Sequence, residues 1–245
     1  MLGALAAGLV TGSSLLLGGL VALLRAPRER TLGLIMAFGA GVLLSAVAYD
    51  LVLEALDLSG GAGIPLGIAA GALTFFVGDK LIDRAGGGRR KAVRKPPDVG
   101  SPKAIVLGTV LDGVPESIVV GLTLLGGEGV SIALLAAVFL SNVPEAMAGT
   151  SGLAASGVRR GRIMAMWTLI TVVSGIAALA GYGLLGGAPQ WAVAFVLAFA
   201  AGAVLTMLAD TMMPEAFDHG GREAGLITTL GFVVAFTIAY IERAG

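Results

Sequence analysis

Cysteine is absent from this chain of 245 residues, histidine occurs once, and only 13% of the residues are charged. The first absence excludes disulfides, thiolate metal sites and cysteine nucleophiles. With His219 as the sole imidazole, any metal bound here rests mainly on carboxylate, amide, hydroxyl or carbonyl oxygen. Formal charges sum to zero, and no basic groove is interleaved with aromatics, so nucleic acid is not an expected partner.

What fills the chain instead is apolar. Hydrophobic residues make up 56% and the mean hydropathy is +0.93, far from the one-quarter charged composition of ordinary soluble domains. An all-α integral membrane protein follows, because apolar runs of about twenty residues cross the roughly 30 Å hydrocarbon core as helices. Polar breaks divide the sequence into eight such runs, at 2–24, 31–56, 62–82, 102–125, 129–155, 163–186, 189–217 and 222–243. The first run does not read as a cleaved leader, since Arg25, Arg28 and Arg30 follow it rather than precede it. Residues 1–245 are expected to form a single transmembrane domain.

Loop charge tests this count, because cytoplasmic loops collect Lys and Arg. Arg25, Arg28 and Arg30 fall between runs 1 and 2, and Arg159, Arg160 and Arg162 between runs 5 and 6. A long basic loop at 84–101 separates runs 3 and 4, and Arg222 lies between runs 7 and 8. The alternate loops carry no Lys or Arg, and only Arg243 breaks the pattern. Eight spans with both termini outside satisfy the rule. The basic loop reads as a solvated connector that fixes orientation.

Two adjacent runs contain a doubled motif: Leu-Asp-Gly-Val-Pro-Glu-Ser at Leu111 to Ser117, and Leu-Ser-Asn-Val-Pro-Glu-Ala at Leu140 to Ala146. A lone charge at mid-membrane costs about 2.5–3.5 kcal/mol, so Asp112, Glu116 and Glu145 call for a compensating partner. A second pair of matches links runs 2 and 7. Phe38-Gly-Ala-Gly41 resembles Phe199-Ala-Ala-Gly202, and Glu54-Ala-Leu-Asp57 resembles Glu215-Ala-Phe-Asp218 at the same offset. In the derived topology both matched pairs run antiparallel, which predicts inverted repeats in a 3+2+3 arrangement. Secondary transporters are built in this way, with their sites where the repeats meet.

Asp112 and Glu116 are four residues apart and share a helix face. Pro115 and Pro144 cannot donate to the carbonyls of Leu111 and Leu140, which leaves an oxygen and an expected kink beside each carboxylate. Ser141 and Asn142 add neutral oxygens before Glu145. An oxygen-rich set of Asp112, Glu116, Ser141, Asn142 and Glu145 suits a divalent cation. A single membrane proline is ordinarily a packing kink, so it is the pairing with carboxylates that carries the argument. Asp50 and Glu54 in run 2, Asp210 and Glu215 in run 7, and His219 near the inner end of run 7, are candidate entrance or exit ligands, with solvated helix ends as the plainer reading of Asp57, Asp218 and His219. Glycine pairs such as Gly8/Gly12 and Gly67/Gly71 are expected to allow close helix packing.

In these residues the chain resembles the ZIP (Zrt/Irt-like) metal transporters. Members of that family have eight helices, both termini outside, a long inside loop between spans 3 and 4, and a His-Asn-x-Pro-Glu-Gly type motif in span 4 with a related Pro-Glu motif in span 5. The resemblance implies a divalent-metal site between spans 4 and 5 and transport toward the cytoplasm. Here Asp112 stands where the family usually has histidine, and Gly113 where it has asparagine; span 6 contributes no carboxylate. That substitution weakens the case for zinc relative to manganese or ferrous iron.

A divalent cation carrier for Zn, Mn or Fe, with Cd also accommodated, is therefore expected in the plasma membrane as a multi-pass protein. The ion is cargo, with no prosthetic group and no enzymatic step; the partners are the metal and the lipid bilayer, with homodimerisation left open. A proton-coupled carrier of a small solute is the alternative, but it calls for mid-membrane aromatics or an arginine clamp, and neither is present. An intramembrane aspartyl protease would use Tyr49-Asp50 and Val77-Gly78-Asp79, yet Phe76 occupies the position its motif reserves for glycine.

Overall fold

The computed structural model describes residues 1–25, 27–82, 84, 102–126 and 131–244. The basic loop at 84–101 and the short loop after Gly126 therefore fall, apart from their edges, outside the described residues. Within those residues there is no strand. Eight helices are long and apolar enough to cross a membrane: α1 (Leu2–Leu24), α2 (Glu29–Leu58), α3 (Gly63–Ile82), α4 (Val106–Leu125), α5 (Ile132–Ala155), α6 (Arg160–Leu185), α7 (Gln190–Gly220) and α8 (Glu223–Ala244). Helix is the form such apolar runs must take, since hydrocarbon offers no partner to an open backbone.

The turns between helices are set by a few residues. Gly157 adopts φ +78°, and Val158 N–H donates to Leu153 O while Gly157 N–H donates to Ala154 O, each at 3.0 Å. This is the left-handed glycine stop that satisfies the last carbonyls of α5. Gly221, at φ +69°, turns the chain from α7 into α8. At that corner Arg30 and Glu223 pair at 2.7 Å across half-exposed ends of α2 and α8, a contact worth about 0–1 kcal/mol.

Packing depends on missing Cβ atoms. A Cβ on Gly41 would strike the Thr228 carbonyl, and one on Gly231 would strike that of Phe38, so α2 and α8 cross backbone to backbone. The same reciprocal arrangement joins α3 to α7 through Gly71 against Phe199 O and Gly202 against Ile68 O. It joins α4 to α6 through Gly121 against Ala178 O and Gly181 against Ile118 O. The repeated Phe-x-x-Gly motif thus does one job twice, supplying a carbonyl and a gap to each crossing. Gly8 and Gly12 admit Ser174 and Thr171 of α6 in the same manner, and Thr171 Oγ1 donates to Gly12 O at 2.8 Å.

Two groups of helices result. α1 packs on α5 and α6, and α4 on α6; α2 packs on α8 and on the end of α7, and α3 on α7. The groups meet where α5 touches α2 and α8, and where α4 touches α7. α2 and α5 have 67% of their spanning window buried, against 22% for α3 and α8, which puts the first two at the centre and the latter two at the periphery. Trp167 is fully buried within the first group and donates its Nε1–H to Thr150 Oγ1 at 2.8 Å.

Both long central helices, α2 and α7, change register on the way. α2 is a π-helix over Val47–Val52 and α7 over Leu208–Met212. The wider turn begins at the same interval after Phe38-Gly-Ala-Gly41 as after Phe199-Ala-Ala-Gly202. Such bulges recur at functional sites, because they re-aim the residues that follow.

Candidate metal site

The five residues singled out in the doubled motif are all buried. Asp112 is 3% exposed and Glu116 5% on α4; Ser141, Asn142 and Glu145 lie at 0–6% on α5. The α-helix runs unbroken through Pro115 and through Pro144, so each proline withdraws one backbone donor without ending its helix. The carbonyls of Leu111 and Leu140, which lose that donor, fall about one turn before each glutamate.

Local hydrogen bonds orient the neutral candidates Ser141 and Asn142. Ser141 Oγ donates to Val138 O at 3.0 Å, which turns its proton inward along the helix and leaves the oxygen lone pairs for another donor or a cation. Asn142 Nδ2 donates to Thr11 O of α1 at 3.5 Å, a long contact that nonetheless points the amide nitrogen at α1. Ser117 Oγ, next to Glu116, donates to Gly113 O at 2.7 Å. The Ser141 to Pro144 turn is pressed against α2 at Gly39, where an added Cβ would lie 3.2 Å from Ser141 Cα and 3.0 Å from Met212 Cε. Three helices converge at that one missing methyl.

Among the described residues, no three His, Asp or Glu side chains form a group that could hold a metal ion. Asp112, Glu116 and Glu145 are each buried on two helices that touch, and they do not close into a three-carboxylate cage. Glu116 also faces a small crevice between the two helix groups, lined by Val47 and Leu51 of α2, Leu134 and Val138 of α5 and Val204 of α7. The surface of that crevice is apolar throughout, so Glu116 lines it with its aliphatic stem while its carboxylate stays covered.

The candidate entrance and exit residues separate into two environments. Asp50, inside the π-segment of α2, is buried and accepts a hydrogen bond from Ser131 Oγ at 3.2 Å. Glu54, a turn further on, is half-buried. Asp210, inside the π-segment of α7, is exposed; Glu215 and His219 are half-buried, with His219 Nδ1 2.9 Å from Glu215 O. Asp57 and Asp218 are exposed at helix ends.

Sequence reasoning missed three participants. Glu242 accepts from the Ile132 and Ala133 amides at 2.9 and 3.1 Å, and Arg243 donates to Tyr49 O at 2.7 Å. Ser131 caps α5 by accepting from Leu134 N–H at 3.1 Å. A serine just before an apolar run does signal a helix start, but nothing local announces partners more than a hundred residues away.

No known family profile matches the sequence. A protein of Arabidopsis thaliana named a "putative zinc transporter" is 28% identical to it over 189 residues, which cover 76% of this chain and 30% of that relative. The chain thus spans under a third of the length of the curated relative it matches.

Proposed function

We propose that this chain carries divalent metal cations across a membrane through the buried oxygen ligands of α4 and α5. The observation that carries the reading is the burial of Asp112, Glu116 and Glu145 in two neighbouring apolar helices, each broken in its hydrogen bonding by a proline. Carboxylates at that depth are expensive, and a cation that accepts their oxygens in place of its hydration shell offsets the expense. Similarity to a relative named as a zinc transporter agrees with this reading.

Because the three carboxylates do not close on one point, the cation would be completed by Ser141, Asn142 and the carbonyls freed by Pro115 and Pro144. Such a set is flexible and oxygen-based, suited to Mn, Fe or Zn rather than demanding zinc. The inverted-repeat reading exchanges α1 with α6, α2 with α7, α3 with α8 and α4 with α5. The packing is consistent with it: α2 on α8 answers α7 on α3, and α1 on α5 answers α6 on α4. Rocking of the α1, α4, α5 and α6 group against the other four would then alternate access, with movement toward the cytoplasm if the basic loops lie inside.

Uptake of zinc, manganese, ferrous iron and cadmium into proteoliposomes is the test. The double substitution Glu116→Ala with Glu145→Ala is expected to abolish uptake while leaving the protein inserted and monodisperse in detergent. Uptake at the unsubstituted rate would remove these carboxylates from the pathway.

A further inference from the structure

The corner where α8 ends and α5 begins carries polar contacts that the proposed cation site does not use. Glu242 takes the amides of Ile132 and Ala133, which at the first turn of α5 have no partner within their own helix. A carboxylate is favoured there by the helix dipole and by charge-assisted hydrogen bonding. Ser131 Oγ lies 3.2 Å from Asp50 Oδ1 and 3.3 Å from Glu242 Oε2, and its single proton serves one of them at a time. Arg243 meanwhile holds the end of α8 to the Tyr49 carbonyl in the π-segment of α2.

These contacts divide along the boundary between the helix groups. The bond from Arg243 to Tyr49 lies within the group of α2 and α8, whereas Glu242 and Asp50 both reach across from that group to α5. The six reciprocal glycine and carbonyl approaches all lie within a group, whereas at this corner the boundary is crossed by side-chain hydrogen bonds that water can replace. The crevice is lined by Leu51, the residue after Asp50, by Leu134, whose amide Ser131 caps, and by Glu116 of α4.

From this geometry we infer that Glu242, Ser131 and Asp50 form a latch that shuts the crevice at this end of the molecule. The latch opens when the first turn of α5 leaves Glu242 and Asp50, and Glu116 then becomes reachable from that side. Its role in transport rests on the proposed function; its role as a closure does not.

The natural absence of cysteine makes the test direct. Val138→Cys places a thiol at a crevice position that is 2% exposed, and a membrane-impermeant methanethiosulfonate reagent reports its access in reconstituted vesicles. Adding Glu242→Ala is expected to raise the labelling rate about tenfold, the factor that one charge-assisted hydrogen bond can hold back. Glu242→Gln, which keeps an acceptor oxygen, is expected to raise it less and serves if the alanine variant does not fold. Labelling unchanged in a folded variant overturns the latch. In a second arm, Ser131→Cys with Glu242→Cys is bridged by a short bifunctional thiol reagent. Uptake of cadmium is expected to stop and to return on reduction, and undiminished uptake by fully bridged protein also overturns the latch. Absence of uptake by the unsubstituted protein would instead defeat the transport reading and leave the labelling result to decide the closure.

Discussion

The π-segments of α2 and α7 occupy matching points after the same Phe-x-x-Gly motif, yet they meet opposite surroundings. In α2, Asp50 is buried against Ser131 of α5, and the neighbouring Tyr49 carbonyl receives Arg243. In α7, Asp210 is exposed, and Thr211 Oγ1 turns back onto Met207 O of its own helix at 2.7 Å. The same distortion is therefore covered at one end of the molecule and open at the other. Helix geometry alone does not decide which: Ser131 and Arg243 reach the first segment at Asp50 and Tyr49, whereas the second packs on α2 through the buried Met212 and leaves Asp210 outside that contact. Under the proposed function, a carrier that exposes one side at a time would require this kind of inequality between its two ends.

That comparison breaks most severely if the crossings beneath the two segments are not equivalent. Gly41→Ala drives a Cβ onto the Thr228 carbonyl, and Gly202→Ala drives one onto that of Ile68; each is expected to cost at least about 1–3 kcal/mol in thermal unfolding in detergent. Similar losses support two matched crossings, and a large inequality would mean that α2 and α7 are anchored differently from the start. Asp50→Ala and Asp210→Ala address the segments themselves. The first leaves Ser131 without one acceptor and is expected to cost about 1 kcal/mol, while the second stays within about 0.5 kcal/mol. Equal effects would show that the contrast in burial has no energetic content. The smallest expected effect is at the α2 and α8 starts, where a double-mutant cycle on Arg30→Ala and Glu223→Ala should give a coupling of about 0–1 kcal/mol that fades with added salt.

Legibility in the sequence followed the range of the interaction. Eight helices could be read because each is announced by its own run of apolar residues, and the close approaches at Gly8, Gly12, Gly67 and Gly71 because small residues have few other uses there. The burial of Asp112, Glu116, Ser141, Asn142 and Glu145 followed from their setting in apolar runs. The helices continue through Pro115 and Pro144, which membrane helices tolerate where neighbouring helices and side chains surround the freed backbone. The π-segments were not foreseeable, because a one-residue change in hydrogen-bond register leaves no composition behind. Glu242 belongs to no motif, and Arg243 is a lone exception to the charge rule. Their partners are Ile132, Ala133 and Tyr49, which only the folded arrangement brings near.

The reciprocal crossing of α2 and α8 also bears on how the molecule is made. The ribosome delivers Phe38 and Gly41 long before Thr228 and Gly231 emerge, so α2 enters the bilayer with its docking groove empty and its buried aspartate uncovered. Until α8 arrives, Asp50 has neither the α8 end beside it nor a settled α5 start to lie against. The nascent chain must therefore be sheltered through most of its synthesis, and an α8 that inserts slowly or in the wrong direction would strand a polar residue of α2 in lipid. Errors late in biogenesis would thus appear as instability in the helix made near the beginning.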